Sequence, residues 1–510
     1  MTQQATPTTQ TDAPHRRRDH SHTRPGGHSA PRYADPHASG SDEAAEARPW
    51  TVLALVAIAQ FMVILDVTVV NVALPSIGDA LGFSTSQLQW VITSYVLFTG
   101  GLMLLGGRLA DVLCRRAVFL SGLGLFTAAS LASGLAWSPS SLIVTRALQG
   151  IGAAMLLPSA LSIVTTTYSG HQRAVALSVW GALGSAGAAA GVLFGGLLTD
   201  LLSWEWIFFI NVPIGIGVGM LAMRVIDRGA GHVAGVRTLD LSGAAVLMSG
   251  LVALVLAIQG ASSHGWTSAR TLALAAAAVL LLAGFALIER RVRRPLIPPS
   301  TWRIRSLSTG GAVMLLATGI LVGAFFLNTL FLQRVLGSSP LETGLAFLPL
   351  TLVILGGAHV ASHLMPRTGT RALMVAGLLV AAGGALLLSG ADAGAAYLAD
   401  LLPGFLALGL GVGMTFVAVS VSAMADVEHE HAGLASGLMT TAHELGASLG
   451  VAVLAAIAAA GSAAGSVSGL VDGYGDGFVV VAAVALATAF FAALVVPSVR
   501  PEPGTGHSMH

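Results

Sequence analysis

The sequence predicts an all-α polytopic membrane protein with fourteen spans, and three observations carry that prediction. Of 510 residues, 54% are hydrophobic and only 10% are charged, where globular proteins carry roughly 25% charged residues. The mean hydropathy is +0.79. Apolar runs of about 18 to 28 residues, enough to cross a hydrocarbon core of about 30 Å as helices, recur fourteen times between short polar breaks.

Residues 1–49 hold almost no large apolar residue and are rich in Pro, Gly, Ser, His and Arg, so they cannot bury a core. They are expected to form a disordered cytoplasmic tail. The first span, 51–74, contains LDVTVVNVALP, an apolar stretch carrying Asp66. Spans follow at 88–110, 117–136, 141–167, 173–198 and 204–225, each bounded by Arg, Asp, Pro or Ser. Two more, 240–260 and 270–288, precede an arginine-rich connection, and six others run at 309–333, 341–363, 371–390, 397–424, 432–460 and 477–497. An even count puts both termini on one side. With that side cytoplasmic, 22 of the 25 arginines lie on it, Arg270 and Arg334 lie opposite, and Arg146 lies within a span. The positive-inside rule supports that orientation and the parity of the count.

GRLADVLCRR (107–116), after the second span, can be laid over SHLMPRTGTR (362–371), after the tenth, with Gly369 against Cys114. That offset fits two six-helix halves with two extra helices inserted between them, as in transporters built from repeats. The expected divisions are an N-terminal half at 50–226, a linker with the two extra helices at 227–305, a C-terminal half at 306–498 and a cytoplasmic tail at 499–510.

Asp66 stands about 22 Å along a helix that starts at Thr51, at 1.5 Å per residue, deep in the membrane, where an ionisable side chain is costly and is a functional candidate. It is read as a proton or cation site; the alternative is a structural acid locked to another helix. Glu444 is the other carboxylate well inside a predicted span and is a candidate second protonation site. Arg146, a guanidinium with no acceptor of its own, demands a partner. Tyr95, Asn328 and Phe325 are candidate lining residues for a cavity that takes a greasy, often cationic ligand. Trp90 reads as an interfacial belt residue.

Several function classes are excluded. A single cysteine, Cys114, rules out an intramolecular disulfide and a Cys-rich metal site. The chain has no lysine and therefore no phosphate-binding loop of the G-x-x-x-x-G-K-[S/T] form, which excludes ATP-driven transport by this chain alone and leaves an ion gradient, worth about 2.3 kcal/mol per charge at 100 mV, as the energy source for any transport. No nucleotide or nucleic-acid partner is expected, since the net charge is +1 with no basic domain. No cofactor and no metal are expected. Five tail histidines and His429 with His431 are read as solvated rather than metal-ligating.

Six stretches, in order along the spans, resemble the major facilitator superfamily, in particular its fourteen-span drug:proton antiporters. LDVTVVNVALPSI (65–77) resembles the family's first-span signature, and GGRLADVLCRR (106–116) the loop signature G-x-L-A-D-x-x-G-R-R, with Cys114 in the glycine position. SLIVTRALQGIGAA (141–154) resembles the R-x-x-Q-G pattern. GAAAGVLFGG (187–196) resembles the antiporter glycine motif, with Val192 in place of its proline. WEWIFFINVPIG (204–215) and AGLASGLMTTAHELGASLGVAV (432–453) add two further family phrases. The resemblance implies proton transfer involving Arg146, here as the modulator of Asp66, the leading coupling residue. It implies a cytoplasmic gating loop of Gly107, Asp111, Arg115 and Arg116, in which the acid meets a helix N terminus and the arginines meet acids. It also implies close packing between the halves through Gly187, Gly191, Gly195 and Gly196. A glycine in the Cys114 position would ease a turn with positive φ.

The expected function is proton-coupled export of amphipathic, often cationic drugs or antibiotics across a bacterial plasma (inner) membrane by alternating access. The partners are then the small substrate, protons and the lipid bilayer. Alternatives are a dedicated exporter of one endogenous metabolite and a non-transporting membrane sensor; no enzyme activity is expected.

Overall fold

The computed structural model describes residues 38–226, 240–292, 295–298, 300–428, 432–462 and 467–500. The chain divides into two compact units, Met1–Ala47 and Arg48–His510. Apolar sequence in lipid must satisfy its backbone internally, which selects helices, and among the described residues there is no strand. The first half comprises α1 (Ala38–Leu81), α2 (Trp90–Val112), α3 (Arg115–Gly134), α4 (Pro139–Thr167), α5 (Gly170–Leu201) and α6 (Asn211–Val225), the last preceded by a short turn, Trp206–Phe209. The inserted pair is α7 (Leu241–His264) and α8 (Ala269–Glu289). The second half comprises α9 (Arg305–Leu330), α10 (Pro340–Thr368), α11 (Thr370–Ser389), α12 (Leu402–Met424), α13 (Ala432–Ser462) and α14 (Val467–Val495).

Each helix covers one of the fourteen expected runs. Among the described residues thirteen helices are long and apolar enough to cross a membrane, and Ala186–Leu201 of α5 is a shorter apolar stretch. The helix α1 begins at Ala38, within the segment read as tail. Residues 1–37, with the five tail histidines, His429, His431 and residues 501–510, lie outside the described residues.

Helix starts are written in the sequence. Ser138 accepts from the Ser141 amide at 3.2 Å with Pro139 behind it, and Ser339 and Glu342 form a capping box ahead of α10. Two π-helical turns, Phe331–Val335 and Tyr397–Leu401, extend α9 and precede α12.

The packing repeats with an offset of eight helices. Within the first half α2 and α3 pack on α4, and α3 on α6; within the second, α10 and α11 pack on α12, and α11 on α14. The halves meet through α2 against α13 and α5 against α10, and these two pairs map onto each other under the same offset. Without a hydrophobic force to hold helices together in lipid, close packing at small residues has to do so. Gly319 and Gly323 of α9 cross Gly446 and Gly450 of α13 backbone to backbone, as do Gly377 of α11 and Gly411 of α12. In the first half Gly187, Gly191 and Gly195 of α5 lie on Ile64, Thr68 and Val69 of α1. This departs from the expectation that the stripe joins the halves: it seats α1 within its own half, and Gly196 alone reaches across, to Pro340 and Leu341. The inserted α7 lies on α2 and α13, where Leu97, Met248, Leu251, Val255 and Ala452 form a small apolar cluster. Trp90 donates from Nε1 to Gln259 Oε1 at 2.7 Å, so the residue read as a belt tryptophan ties α2 to α7.

These crossings carry a testable difference between glycines. A methyl at Gly450 would meet the backbone of Gly319, whereas one at Gly383 would meet nothing. Gly450→Ala should lower stability by about 1–3 kcal/mol through overpacking, and Gly383→Ala should raise it by up to about 1 kcal/mol through helix propensity. Thermal unfolding of the two purified variants beside wild type checks the opposite signs.

Candidate functional site

The most polar place inside the membrane helices is built where α1, α2, α3, α4 and α6 converge. Asp66 is 0% exposed and Arg146 is 1% exposed. A lone ion there would be costly, so the charge must be paired and hydrogen-bonded. Arg146 Nη1 meets Asp66 Oδ2 at 2.5 Å and also donates to Gln149 Oε1 at 2.7 Å. Its Nε donates to the Val91 carbonyl of α2 at 3.0 Å. Asp66 Oδ1 accepts from Gln149 Nε2 at 2.7 Å and from Asn211 Nδ2 at 2.8 Å. Gln149 Nε2 also donates to Ser130 Oγ at 2.8 Å. The carboxylate therefore has three donors from two helices other than its own. Above them the Arg146 guanidinium lies 4.2 Å from the centre of the Tyr95 ring, which meets Phe126 edge-on.

Asp66 and Arg146, expected as a coupling residue and its modulator, are in direct contact in one site. Tyr95, expected to line a cavity, is buried beneath Arg146 instead, because the guanidinium needs a low-dielectric face to stack on. Gln149 lies in the quoted R-x-x-Q-G pattern, but sequence reasoning assigned it no role and passed over Asn211 and Ser130. One signal was available: the chain has three asparagines, Asn71, Asn211 and Asn328, all inside spans, where a buried amide needs partners.

Glu444 is not brought to this cluster. It lies on the stripe of α13 that faces α2, beside Gly100, and is partly buried. Phe325 and Asn328 belong to the second half: Phe325 packs on Phe347 with ring centres 4.8 Å apart, Phe347 stacks on Phe405, and Asn328 is buried. Among the described residues no three His, Cys, Asp or Glu side chains group as a metal site.

The loop between α2 and α3 differs from its expected form in two respects. Arg116 donates to the carbonyls of Ile226 at 2.8 Å and Met223 at the C-terminal end of α6, a partner that the helix dipole favours as an acid would be. Cys114 has φ −63° and ψ 118°, an extended conformation that costs a side chain nothing, so the position does not need glycine; its counterpart in the second half, Gly369, has φ +81°. Gly107 faces Pro158 of α4 and Arg115 is exposed, while the side chain of Asp111 lies outside the described residues.

The halves are fastened at the end where α1 finishes. Arg334, on the π-helical turn after α9, bridges to Asp79 at 2.5 Å and donates to the Pro75 carbonyl, and Gln333 donates to the Val72 carbonyl at 2.8 Å. Gly344 of α10 sits against the Val192 carbonyl of α5 at the same end. At the opposite end Arg116, Arg305 and Arg371 bond carbonyls of their own half.

Comparison with known proteins agrees with this architecture. Residues 56–451 match the family model of the Major Facilitator Superfamily. The puromycin resistance protein pur8 of Streptomyces alboniger is 40% identical over 420 residues, 82% of this chain and 83% of that protein. The cephamycin export protein CmcT of Amycolatopsis lactamdurans is 40% identical over 401 residues, 78% of this chain and 82% of that protein. A crystal structure of a bacterial homologue of the human lysosomal transporter Spinster shares the fold at a TM-score of 0.61 and 19% identity, covering 87% of this chain and 96% of that one. The chain belongs to the Major Facilitator Superfamily and is a multi-pass membrane transporter, not an enzyme.

Proposed function

We propose that this transporter exports an amphipathic, often cationic small molecule across a bacterial plasma membrane in exchange for protons, with both termini cytoplasmic. The observation that carries this reading is the carboxylate of Asp66, held by Arg146, Gln149 and Asn211 in complete burial. In the membrane interior such a group stays charged only while its donors stay in place. A helix movement that withdraws a donor therefore drives it to take a proton, which links conformation to protonation. The relatives named for puromycin resistance and cephamycin export favour export of antibiotic-like molecules.

In this reading the end fastened by Arg334 and Asp79 is the outer one, so the transporter opens inward, the state that would receive substrate from the cytoplasm. The Gly107 to Arg116 loop is the cytoplasmic latch, with Arg116 gripping the end of α6. Glu444, at the α2–α13 seam between the halves, is a second protonation or cation site. Phe325 and Asn328 stand near the proposed path of the substrate in the second half.

Two outcomes are expected. Cells expressing the chain and preloaded with a fluorescent lipophilic cation should show efflux that a protonophore abolishes, and Asp66→Asn at matched expression should slow it at least about tenfold, a loss of about 1.4 kcal/mol. Efflux by Asp66→Asn at the wild-type rate would remove Asp66 from coupling. Cysteines at Asp79 and Arg334 in a Cys114→Ser background, joined by a short reducible cross-linker, should arrest efflux until reductant is added. Undiminished efflux with the link in place would mean that this end need not open.

A further inference from the structure

Among the side chains that hydrogen-bond Asp66, one buried atom is left over, on Asn211. Asp66 Oδ1 accepts two amide N–H groups, from Gln149 and from Asn211. The Gln149 amide is engaged at both ends: its Oε1 accepts from Arg146 at 2.7 Å and its Nε2 serves Ser130 at 2.8 Å as well as Asp66. Turning it over would break the contact with Arg146. The Asn211 amide is engaged at one end. Its Nδ2 donates to Asp66, with Ser130 Oγ at a long 3.4 Å, while its Oδ1 is buried without a hydrogen-bond partner in a residue 0% exposed. A buried acceptor left unmade costs about 1–3 kcal/mol, so its presence asks for an explanation.

Protonation of Asp66 supplies one. A proton on Oδ1 occupies one of that oxygen's two lone-pair directions, so one N–H keeps its acceptor and the other faces an O–H. One amide must invert, and Asn211 can do so without disturbing Arg146. The terminal torsion of an asparagine is broad and roughly two-fold, so inversion exchanges its O and N with little movement of anything else.

We propose that Asn211 is a positioning residue for the coupling proton: its amide donates to Asp66 when the acid is charged and inverts to accept from it when the acid is protonated. The inference rests on the reading of Asp66 as the proton carrier. In the protonated state the hydrogen on Asp66 Oδ1 would point at Asn211 Oδ1, and Arg146 would keep Asp66 Oδ2, Gln149 Oε1 and the Val91 carbonyl. The acid would then keep a hydrogen-bond partner in the protonated form that follows when a helix movement draws a donor away. The charged and titratable groups facing the site are Arg146 of α4 and Tyr95 of α2, the latter within electrostatic reach also of Glu444 on α13. Ser130 of α3 and Asn211 of α6 are neutral, and α5 presents Gly191 and Gly195 to the neighbouring turn of α1.

The test is an infrared pH titration of the purified full-length transporter, following the C=O stretch of protonated carboxyls, with the part lost in Asp66→Asn taken as the Asp66 band. Asn211→Leu and Gln149→Leu are compared with wild type, and Asn211→Ala replaces the first if it does not fold. Gln149→Leu removes a donor that serves chiefly the carboxylate, a hydrogen bond to a charged group, and should move the midpoint up by about one to two pH units. Asn211→Leu removes a donor from one form and an acceptor from the other. It should leave the midpoint within about half a unit of wild type and move the Asp66 band to higher frequency, because the acid has lost its acceptor. A midpoint raised as far as in Gln149→Leu, with the band frequency unchanged, would make Asn211 a fixed donor and overturn the inference. Retention of the whole band in Asp66→Asn would show instead that Asp66 takes no proton, overturning the coupling assignment beneath it.

Discussion

The contact on which the first half depends is the ion pair of Asp66 and Arg146, because neither charge is tolerable in the membrane interior without the other. Breaking a buried pair by removing one partner costs about 3–5 kcal/mol, a large part of a protein's total stability. Satisfying the pair takes Gln149 from the turn after Arg146, Asn211 from α6, the Val91 carbonyl from α2 and, through Gln149, Ser130 from α3. The relative positions of these helices are thereby fixed to within a hydrogen bond. The glycine stripe of α5 serves the same end from outside, since α1 can approach the cluster only if α5 lets it lie close at Thr68 and Val69.

The two halves share a packing scheme but not a chemistry. Under the offset of eight helices, α1, α2 and α4 correspond to α9, α10 and α12. In the first half these helices contribute Asp66, Tyr95 and Arg146 to one place; in the second they contribute Phe325, Phe347 and Phe405, with ring centres 4.8 and 5.7 Å apart. Corresponding helices thus hold a charged cage in one half and an aromatic stack in the other. An aromatic stack tolerates sliding at small cost, since its attraction is spread over many weak contacts. A set of charge-assisted hydrogen bonds does not. The proposed exchange of protons for substrate is consequently asymmetric, with the ionic switch in the first half and an adaptable apolar surface in the second.

Much of this was legible in the sequence, and the rest was not for physical reasons. The span count is carried by length and hydropathy, which are local, and each expected run has its helix. The oddity of Asp66 and Arg146 was visible because a charge in an apolar run is conspicuous; their pairing across 80 positions was not, because it depends on how α1 and α4 cross. Tyr95 was placed on a cavity wall because an aromatic with a polar tip is as much at home there as beneath a guanidinium. The direction of the α5 glycines was missed for a related reason: spacing every four residues defines a groove but not the helix that fills it. At Cys114 the family pattern implied a positive φ, yet the backbone is extended there, while the repeat partner Gly369 keeps the left-handed turn. Asn211 was one polar letter in an apolar phrase, and its role depends on an oxygen whose lack of a partner no sequence displays.

The fastened end and the paired carboxylate belong to one state in the proposed cycle. Five of the polar groups lie toward the end where α1 finishes: Ser130 in the last turns of α3, Arg146 and Gln149 in the first three turns of α4, Val91 at the start of α2 and Asn211 at the start of α6. That is the end at which Arg334 holds Asp79 and Gly344 meets Val192. Opening it must move this part of α1 relative to α9, because Gln333 and Arg334 grip α1 at Val72, Pro75 and Asp79. These grips begin less than two turns beyond Asp66 on the same helix, and a rigid helix cannot shift at Val72 and stay fixed at Asp66. In the proposed cycle, loosening this clasp would disturb the carboxylate's donors as water approaches from that side, whereas the closed clasp keeps the donors in place. With that end facing outward, as proposed, the proton would be taken up from outside and be absent when the inner side is open, the order that exchange of an outgoing substrate for an incoming proton requires.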